Sequence, residues 1–431
     1  MQALNEVNQK MQQDWNARAQ EDAHFYVAFG RRGQDDSEFF DTAREVVNAL
    51  ERELKRLPQT SKPRARRALE IGCGPGRLMK PMSRYFGEIH GVDVSDEMIR
   101  RAGVNLSEVP HAHPHHTSGS DLAPFADESF DFIYSYAVFQ HIPSAEVVFS
   151  YLHEAVRVLK PGGIIRAQIN GLPKTAKVYD TWSGVRINGE EIQQFARDTG
   201  LQLFALEGLN TQYMWTTLRK PDGTEQQHAT NMRIRRVTNS HSSEPVAPTR
   251  GRYASVTLWI ENLPQAAELN SLEVEIGGRR AVTTYLGPKE ADGLQQFNAL
   301  LPESVTTGLL PIVLRRKGEV LAKPAAVRVI PAPPQVPILL SVTDGINMLS
   351  GSRIVTGTLK ATFEEINDPE AFHACIDGVP VKNVDAFCAD PLPSRYEINF
   401  DVPDEIGSGP HNLEMEIGRR KLAPFGIEVV R

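Results

Sequence analysis

The 431-residue sequence predicts an α/β protein, with a doubly wound sheet in its first half followed by two all-β sandwich domains. Short apolar runs alternate with helical stretches from Arg67 to about Ile169, and this alternation is typical of crossover units and a mainly parallel sheet. Beyond Lys220 the pattern changes to β-type runs separated by Gly, Pro and Asn, as in a sandwich. The length exceeds what one core fills, since domains average roughly 150 residues.

Four apolar runs predict the strands of the first half: ALEI, IHGVDV, FDFIYSY and GGIIRAQI. Helices are expected after GPGR, from Ser95, from Ser144 and over Glu190 to Thr199, the last one closed by Gly200. The breakers Pro161-Gly162-Gly163 end a helix near Leu159 and start the next strand. A helical cap precedes the sheet, and its clearer helix runs from Phe39 to Leu54 behind Ser37 as N-cap.

Changes in composition predict the domain boundaries. Residues 1–222 form the α/β domain with its helical cap, and residues 223–250, which are rich in turn formers, form a linker. Two sandwiches follow at 251–331 and 337–431, separated by the proline-rich segment IPAPPQVP.

The two β regions repeat one another. Phe297-Asn298, followed by Pro302 and Gly308, matches Ile398-Asn399, followed by Pro403 and Gly409, at identical spacing. A period of about 100 residues is the size of one immunoglobulin-like sandwich and predicts two tandem copies. The repeated Asn, Pro and Gly are most simply turn residues.

Composition excludes several classes of protein. A hydrophobic fraction of 41%, a charged fraction of 23% and a net charge of −7 describe an ordinary globular protein and disfavour a non-specific nucleic-acid binder. The polar N-terminus and the lack of an apolar run of about 18 residues predict neither a secretory signal nor a membrane span, so a cytoplasmic location is expected. Three cysteines fit a reducing compartment, although a Cys375–Cys388 bridge stays open.

A glycine turn carries the central signal of the sequence. Glu70 is followed by Gly72, Gly74 and Gly76, and these glycines allow a ligand to lie against the backbone at the edge of the sheet. Arg77 stands where a dinucleotide-binding turn has its third glycine, so the spacing suits a ligand without a pyrophosphate. Further on, Asp93 ends an apolar run, where a carboxylate can accept both hydroxyls of a ribose.

Four motifs together resemble the class I S-adenosylmethionine-dependent methyltransferase family, with its Rossmann-like fold: EIGCGPGR, GVDVS, DLAPFADESFDFIYSYAVFQHIP and LKPGGII. The resemblance covers roughly residues 15 to 220 and rests on the order and spacing of the motifs. It implies S-adenosylmethionine as cofactor and S-adenosylhomocysteine as product. The implied cofactor-binding residues are Glu70, Gly72, Cys73, Gly74, Gly76, Asp93, Val94, Asp121, Leu122 and Tyr136.

Within that resemblance, Glu70 organises the methionine amino group, Asp93 binds the ribose and Val94 packs on the adenine. Asp121, followed by Leu122, is the candidate for contact with the adenine amine. The polar segment HAHPHHTSGSD stands where the family usually has an apolar strand, which is a departure from its pattern just before Asp121.

The acceptor side is expected just after the fourth strand. Gln140 and His141 lie where related methyltransferases place residues at the mouth of the methyl site, and His141 is the candidate general base. The alternative is a packing or helix-capping histidine. Tyr136 is similarly placed, and Tyr213 with Trp215 forms either the far side of the acceptor pocket or part of a last strand.

Two further groups of residues have open alternatives. Trp15, His24, Tyr26 and Phe29 belong to a segment that closes over the cofactor in related enzymes, but core packing is an equal interpretation. His111, His113, His115 and His116 have metal-ligand spacing, whereas a solvent-facing strand edge is the favoured interpretation, so no metal is predicted.

The leading hypothesis is a methyltransferase that acts on a small molecule or a glycan, with no nucleic acid or membrane as partner. The alternative is a non-catalytic cofactor-binding protein whose β domains serve in binding or assembly. Those domains loosely resemble immunoglobulin-like repeats of bacterial multidomain proteins, and they offer a surface for a homo-oligomer or another partner. The identity of the acceptor is not readable from the sequence.

Overall fold

A computed structural model describes residues 2–28, 32–58, 62–174, 178–225 and 231–431. The chain divides into two compact units. Residues 1–23 and 37–331 form the first, and residues 24–36 and 332–431 form the second. The first unit therefore holds both the α/β region and the first β region.

In the described residues of the α/β region, seven strands form. They are β1 (Arg67–Ile71), β2 (Glu88–Asp93), β3 (Ala112–His116), β4 (Phe130–Ser135), β5 (Leu159–Ile169), β6 (Gln202–Glu207) and β7 (Met214–Arg219). Their order in the sheet is β3-β2-β1-β4-β5-β7-β6. The strands β1 to β5 pair in parallel, and β7 runs antiparallel to both neighbours. This order reverses direction at β1 and confirms the predicted doubly wound sheet.

Seven α-helices accompany these strands in the ranges that the structure describes. They are α1 (Gln2–Ala28), α2 (Asp36–Asp41), α3 (Arg44–Leu54), α4 (Met79–Met82), α5 (Asp96–Asn105), α6 (Ala145–Val158) and α7 (Gly189–Thr199). Ser95 and Ser144 cap α5 and α6 through their side chains, as the sequence predicts. Gly200 ends α7 in the left-handed conformation, with a φ of 69°.

The structure differs from the sequence prediction at two of these elements. Behind Ser37 the chain forms two helices instead of one, because the Thr42 hydroxyl donates to the Phe39 carbonyl at 2.6 Å and the backbone tightens into a turn between α2 and α3. Ser37 lies inside α2 and is not its N-cap. The breakers Pro161 to Gly163 lie within β5, where a register shift against β4 accommodates the extra residues.

The first β region contains nine strands within the described residues 231–331. They are β8 (Arg233–Asn239), β9 (Val246–Pro248), β10 (Ser255–Glu261), β11 (Leu272–Ile276), β12 (Arg279–Lys289), β13 (Leu294–Leu300), β14 (Gly308–Arg316), β15 (Glu319–Val320) and β16 (Ala325–Ile330). Two of them, β8 and β9, lie in the segment 223–250 that the sequence predicts as a linker. Three of the seven residues of β8 are exposed and two, Ile234 and Val237, are apolar, so the strand has little hydrophobic periodicity to reveal it.

The second β region contains ten strands. They are β17 (Ile338–Asp344), β18 (Arg353–Ile354), β19 (Thr358–Glu364), β20 (Phe372–Ile376), β21 (Val379–Pro380), β22 (Lys382–Asp390), β23 (Arg395–Asp401), β24 (Gly409–Ile417), β25 (Arg420–Lys421) and β26 (Phe425–Val429). Their pairing order β19-β23-β22 repeats β10-β13-β12 of the first region, and β20-β24-β26 repeats β11-β14-β16. The matched glycines Gly308 and Gly409 have φ values of 132° and 135°. The repeat seen in the sequence is therefore a repeat of strand order.

The α/β region and the first β region meet in a buried seam. Tyr285 of β12 is 2% exposed and pairs through its backbone with Ala205 of β6. The guanidinium of Arg56 donates to the Leu286 carbonyl at 2.6 Å and is held by the carboxylate of Glu53, which is fully buried. The two regions thus share backbone pairing and buried charge.

Two smaller expectations also have structural outcomes. Among the helices in the described part of the chain, none is long and apolar enough to span a membrane. Cys375 and Cys388 are both free thiols, so the open Cys375–Cys388 alternative is wrong for this structure.

Candidate functional site

The glycine turn lies at the carboxyl end of β1. The backbone N–H groups of Gly72 and Cys73 both donate to the Val92 carbonyl at the end of β2, at 2.8 and 2.9 Å. Gly72 has a φ of 72°, and a Cβ added there would lie 2.3 Å from Cγ2 of Val138. Gly74 and Gly76 also have positive φ, with values of 50° and 84°. Only glycine fits Gly72 without displacing the loop after β4.

Asp93 joins this turn to the second strand. One carboxylate oxygen accepts the N–H of Gly74 and the other accepts the N–H of Ser95, both at 2.9 Å. Each oxygen keeps a second lone pair. Because Asp93 is partly exposed at the sheet edge, those lone pairs suit a diol such as ribose. The residues present therefore fit a nucleoside cofactor.

Glu70 is a buried acid beneath the turn. It is 3% exposed and accepts a hydrogen bond from the Tyr134 hydroxyl at 2.8 Å. Burial raises the pKa of Glu70 to about 8, against the opposing effects of Tyr134 and Arg77. The carboxyl group therefore holds its proton at neutral pH and gains charge readily when a cation arrives beside it.

Arg77 was noted in the sequence only as a departure from a dinucleotide-binding turn, yet it is part of the site. It is 5% exposed, and its guanidinium lies 5.6 Å from the centre of the Tyr136 ring. One terminal nitrogen donates to the Thr42 hydroxyl at 3.0 Å. The burial of a guanidinium at this position depends on the packing of Thr42, which no local pattern reveals.

The region predicted to hold the adenine is built from the end of β3 and the turn after β2. Val94 packs against Gly119, where an added Cβ would lie 2.9 Å from Cγ2 of Val94. The carboxylate of Asp121 accepts from the Ser118 hydroxyl and from the Ala123 N–H within its own turn. Ser118 and Gly119 precede Asp121 in that turn, and Gly119 is the residue that reaches Val94.

Leu122, the residue after Asp121, is a core residue. It is fully buried in the hydrophobic core, and its N–H donates to a Glu154 carboxylate oxygen at 3.0 Å. The N–H of Leu122 therefore already has a partner in this structure. The assignment of Leu122 to the adenine stays a prediction.

The helical cap covers this edge of the sheet. Asn16 of α1 accepts from the Ser95 hydroxyl at 2.6 Å and from the Glu97 N–H at 3.2 Å. The Asn8 side chain donates to the Ser120 hydroxyl at 2.8 Å. The cap is thus fixed to the loops after β2 and β3 by side chains that the sequence reading did not single out.

A directed chain of hydrogen bonds follows β4. The Ala137 N–H donates to the Gln168 side-chain oxygen at 2.9 Å, and the Gln168 amide nitrogen donates to the Gln140 oxygen at 3.1 Å. Ala137 has a φ of 56°, which is strained for a residue with a Cβ. Strain of this kind is concentrated at functional sites. Gln168 was missed from the sequence because it lies in the next strand, β5.

His141 ends this chain. Its Nε2 lies 3.3 Å from the Gln140 amide nitrogen, and its Nδ1 lies 2.9 Å from the Trp182 carbonyl. Because the carbonyl accepts, Nδ1 carries the hydrogen and Nε2 has the lone pair. Burial lowers the pKa of His141 to about 4, so the ring is neutral at physiological pH. In this structure the Nε2 lone pair faces the Gln140 amide nitrogen.

Aromatic rings form the wall between the two halves of the site. Tyr136 stacks on Trp215 of β7, with ring centres 5.5 Å apart and planes 18° apart. The buried guanidinium of Arg166 lies 4.6 Å from the Trp215 ring centre. Trp215 is therefore a strand residue that supports Tyr136. Tyr213 precedes β7 and is 51% exposed, so it lies at the surface.

The aromatic residues of the N-terminal segment separate in the structure. Trp15 contacts the His141 ring edge-on, with centroids 5.5 Å apart. Arg18 lies 4.8 Å from the Trp15 ring and 5.5 Å from the Trp182 ring. His24 and Tyr26 belong to the second compact unit, and Phe29 lies outside the described residues. Trp15 is the member that reaches the candidate site.

The histidine run forms the edge strand β3 and the turn before it. His115 Nε2 lies 3.0 Å from His90 Nδ1, and His113 Nε2 lies 3.7 Å from Glu88. Within the residues that the structure describes, no group of three or more His, Cys, Asp or Glu side chains is arranged to hold a metal ion.

Known proteins resemble the stretch that contains this site. Residues 69–167 match a family described as a methyltransferase domain. Phosphoethanolamine N-methyltransferase 2 of Caenorhabditis elegans is 30% identical over 169 residues, which is 37% of this chain and 38% of that enzyme. Ubiquinone biosynthesis O-methyltransferase of Ruegeria pomeroyi is 33% identical over 138 residues, or 31% of this chain and 51% of that enzyme. The chain thus spans about half or less of the length of these two relatives.

A solved structure is also similar to part of the chain. Geranyl diphosphate C-methyltransferase from Streptomyces coelicolor is 14% identical, with a TM-score of 0.37. The similarity covers 50% of this chain and 97% of that chain.

The glycine turn, Asp93 and the residues from Tyr136 to His141 all lie inside the matched stretch 69–167. The α/β region is therefore an S-adenosylmethionine-dependent methyltransferase domain. Its cofactor is S-adenosylmethionine.

Proposed function

We propose that the whole protein transfers the methyl group of S-adenosylmethionine to a nitrogen or oxygen atom of a small molecule or a glycan. The observation that carries this proposal is the directed hydrogen-bond chain from Ala137 to His141. The chain ends beside the loop that touches Gly72, and it presents an amide and a neutral imidazole there. These groups can orient an N–H or O–H without charging it.

The cofactor is held, in this proposal, by the turn and the two acidic strand ends. Glu70 faces the methionine amino group, Gly72 to Gly76 line the methionine and sugar, and Asp93 accepts the ribose hydroxyls. Val94 packs on the adenine. The bound cofactor supplies an electrophilic methyl group on a sulfonium, so the protein mainly has to align a nucleophile and exclude water.

The acceptor is held on the other side of that methyl group. Gln140 donates to the acceptor atom, and His141 then takes its proton at Nε2 when the acceptor needs a base. Trp15 closes this side, because its ring covers the His141 edge and keeps water away. Tyr136 forms the wall, and Tyr213 lies at the entrance.

The names of the two matched relatives include one nitrogen acceptor and one oxygen acceptor. One is a phosphoethanolamine N-methyltransferase and the other is a ubiquinone biosynthesis O-methyltransferase. These names set the two chemistries to compare first: a primary amine with a phosphate, and a hydroxyl on an aromatic ring. Aromatic walls such as Tyr136 on Trp215 suit a ring acceptor.

A coupled assay that detects S-adenosylhomocysteine tests this function. Phosphoethanolamine, catechol and a panel of glycans serve as acceptors, with Asp93→Ala as the control that removes the ribose contact. We expect turnover that depends on one acceptor class and is lost in the control. Cofactor binding by calorimetry without turnover on any class would favour the alternative, a cofactor-binding protein whose β domains do the work.

We further propose that residues 251–331 and 337–431 are two immunoglobulin-like domains that serve in acceptor positioning, binding or self-association. The repeated strand order of the two β regions supports two copies of one domain. Light scattering of the full chain tests self-association. A mass of one chain, 47.9 kDa, at all concentrations would remove the homo-oligomer from this proposal.

A further inference from the structure

Among the residues that the structure describes, Arg77 is a buried cation that forms no salt bridge with a carboxylate. Its residue surface is 5% exposed, and its Nε is buried without a hydrogen-bond partner. Across the part of the chain that the structure describes, the Arg77 side chain makes one hydrogen bond, which a terminal nitrogen donates to the neutral Thr42 hydroxyl. Five N–H donors in a fixed fork are therefore served by one acceptor.

An arrangement of this kind is costly. A buried charge without a partner destabilises the folded state, and other buried arginines in this protein avoid the cost. Arg56 pairs with Glu53, and Arg166 pairs with Glu207 at 2.8 Å. Arg77 differs from both because no carboxylate among the described residues forms an ion pair with it.

The acid that interacts electrostatically with Arg77 does not cancel this charge. Glu70 attracts Arg77 electrostatically, but it forms no hydrogen bond with the guanidinium. Its carboxyl group is neutral at physiological pH, because burial raises its pKa to about 8. Burial also lowers the pKa of Arg77, which is the direction that an unpaired guanidinium takes.

The position of Arg77 indicates the ligand. It directly follows the glycine turn, and its guanidinium faces the Tyr136 ring at 5.6 Å. It therefore lies between the part of the site that holds the methionine end of the cofactor and the aromatic wall that faces the acceptor. A planar fork in this position matches a carboxylate or phosphate with two oxygens.

We propose that Arg77 is the receptor for an anionic group of the bound ligands, a carboxylate in the first place. This inference rests on the proposed function for the placement of the methionine end. The α-carboxylate of the cofactor is one source of the anion, and a carboxylate or phosphate on the acceptor is the other. Without ligand, the Arg77 guanidinium is a buried charge without an ion-pair partner. A bound anion forms an ion pair with it.

The experiment compares two cofactors on two proteins by calorimetry. The ligands are S-adenosylmethionine and its decarboxylated form, and the proteins are the parent chain and Arg77→Met, which keeps an unbranched apolar stem and removes the guanidinium. If the cofactor carboxylate is the anion, the parent binds the decarboxylated form about tenfold to a hundredfold more weakly, the usual range for a charge-assisted bond. Arg77→Met then binds both forms equally and weakly.

A second arm identifies an anion that comes from the acceptor. Both proteins are saturated with S-adenosylhomocysteine and titrated with inorganic phosphate. If the guanidinium is still open, the parent binds phosphate and Arg77→Met does not, while both proteins bind the two cofactors alike. If the cofactor carboxylate occupies Arg77, phosphate binds to neither saturated protein.

Thermal unfolding of the empty proteins separates this role from a structural one. Removing an unpaired buried charge raises the melting temperature, so we expect empty Arg77→Met to be more stable than the parent and ligand to stabilise it less. Arg84→Met, a change at an arginine outside the site, is the matched control and leaves all affinities unchanged. A lower melting temperature in Arg77→Met, with parent-like discrimination of the cofactors and no phosphate binding by either protein, would overturn the inference. A parent chain that binds no S-adenosylmethionine would instead overturn the proposed function.

Discussion

The Nδ1 atom of His141 lies 2.9 Å from the carbonyl oxygen of Trp182. This contact assigns the hydrogen to Nδ1 and leaves Nε2 as the basic atom, which lies 3.3 Å from the Gln140 amide nitrogen. The neutral form is the stable one here, because burial lowers the pKa of His141 to about 4. At neutral pH the ring is therefore in the unprotonated form that a general base needs, and its lowered pKa makes it a weak base.

The first prediction concerns this ring. His141→Gln keeps a hydrogen-bonding group but cannot take a proton at neutral pH, so turnover falls by about a hundredfold or more if His141 is the base. Parent activity stays level as the pH falls through 6.5, the ordinary pKa of histidine, because the ring is still neutral there. Steady-state kinetics from pH 5 to 9 measure both effects.

Near-normal turnover in His141→Gln, with an unchanged pH profile, would leave the ring a packing role. Stability gives an independent check. Between about pH 6.5 and 4, His141 is protonated in the unfolded chain but neutral in the folded protein. The parent therefore loses stability as the pH falls through this window. His141→Gln lacks that contribution to the pH dependence.

The second prediction concerns Asp93. Asp93→Ala removes the acceptor of the ribose hydroxyls, and charge-assisted bonds contribute about 1.5–3 kcal/mol each, so cofactor affinity falls at least tenfold. It also removes the bonds to the N–H groups of Gly74 and Ser95, which loosens the turn. Calorimetry with S-adenosylhomocysteine measures the loss.

Asp198→Ala is the matched control for this change, because Asp198 is exposed on α7. It should bind cofactor as the parent does. Equal affinity in the parent and Asp93→Ala would show that the ribose lies elsewhere.

The third prediction concerns Glu70. The empty folded protein keeps a proton on this acid up to about pH 8, whereas the unfolded chain releases it near 4.5, the ordinary pKa of glutamate. Stability of the empty protein therefore falls as the pH rises through this window. A cationic amino group beside Glu70 favours the ionised acid, so cofactor binding releases a proton and tightens as the pH rises towards 8.

Glu70→Gln should bind cofactor more weakly and with a flatter pH dependence. It is a matched control, because the titration of the ligand itself affects both proteins equally. Calorimetry in buffers of different ionisation enthalpy counts the released proton. Identical pH dependence in the two proteins would place the amino group away from Glu70.

The fourth prediction concerns the glycine turn. Gly72→Ala places a Cβ 2.3 Å from the Val138 side chain at a φ of 72°, so it should lower the free energy of unfolding by about 1–3 kcal/mol for the backbone alone and disturb cofactor binding. Gly103→Ala is the control, since an added Cβ meets nothing within 4 Å in α5 and should stabilise the helix by about 0.5–1 kcal/mol. Urea unfolding measures both variants, and a stable Gly72→Ala with normal binding would contradict the geometry.

The fifth prediction concerns the seam between the α/β region and the first β region. Tyr285→Ala removes a buried ring that lies 4.7 Å from the Arg52 guanidinium and whose hydroxyl lies 3.4 Å from Glu53. The expected loss is about 3–5 kcal/mol, the usual cost of deleting a buried aromatic ring. Tyr253→Ala is the control, because Tyr253 is 53% exposed and its loss should change stability by less than about 0.5 kcal/mol.

Thermal unfolding of Tyr285→Ala also tests the predicted boundary at residue 222. If the two regions depend on each other, the α/β region unfolds at a lower temperature in this variant. An unchanged α/β transition would support independent domains, as the sequence predicts.

Local patterns in the sequence are sufficient for the strands and for the glycine turn. Apolar runs ending in Glu70-Ile71 and in Asp93 place both acids at the same sheet edge, since parallel strands end together. Ser95 and Ser144 predict the starts of α5 and α6, because each capping side chain accepts the N–H of the residue three positions further on. Each of these features depends on neighbours in the chain.

The remaining features depend on residues far apart in the chain. Arg77 is buried because Thr42 and Tyr136 close around it, and Gln168 joins the site from a different strand than Gln140. The sequence predicts a linker where the strand β8 lies, because an edge strand needs few apolar residues. Such features follow from tertiary packing, which hydrophobic periodicity does not encode.

The backbone pairing of Ala205 with Tyr285 has a consequence for solubility. The strand β6 is the last one of the α/β sheet, and on its outer side the Leu203 N–H donates to a Glu268 carboxylate oxygen at 3.4 Å. Five of its six residues are buried. A fragment cut between the two regions would present this apolar edge with open N–H and C=O groups, and such edges recruit strands from other chains. Proteolysis within the segment 223–250 would therefore yield an aggregating fragment, and the first β region protects the methyltransferase domain against it.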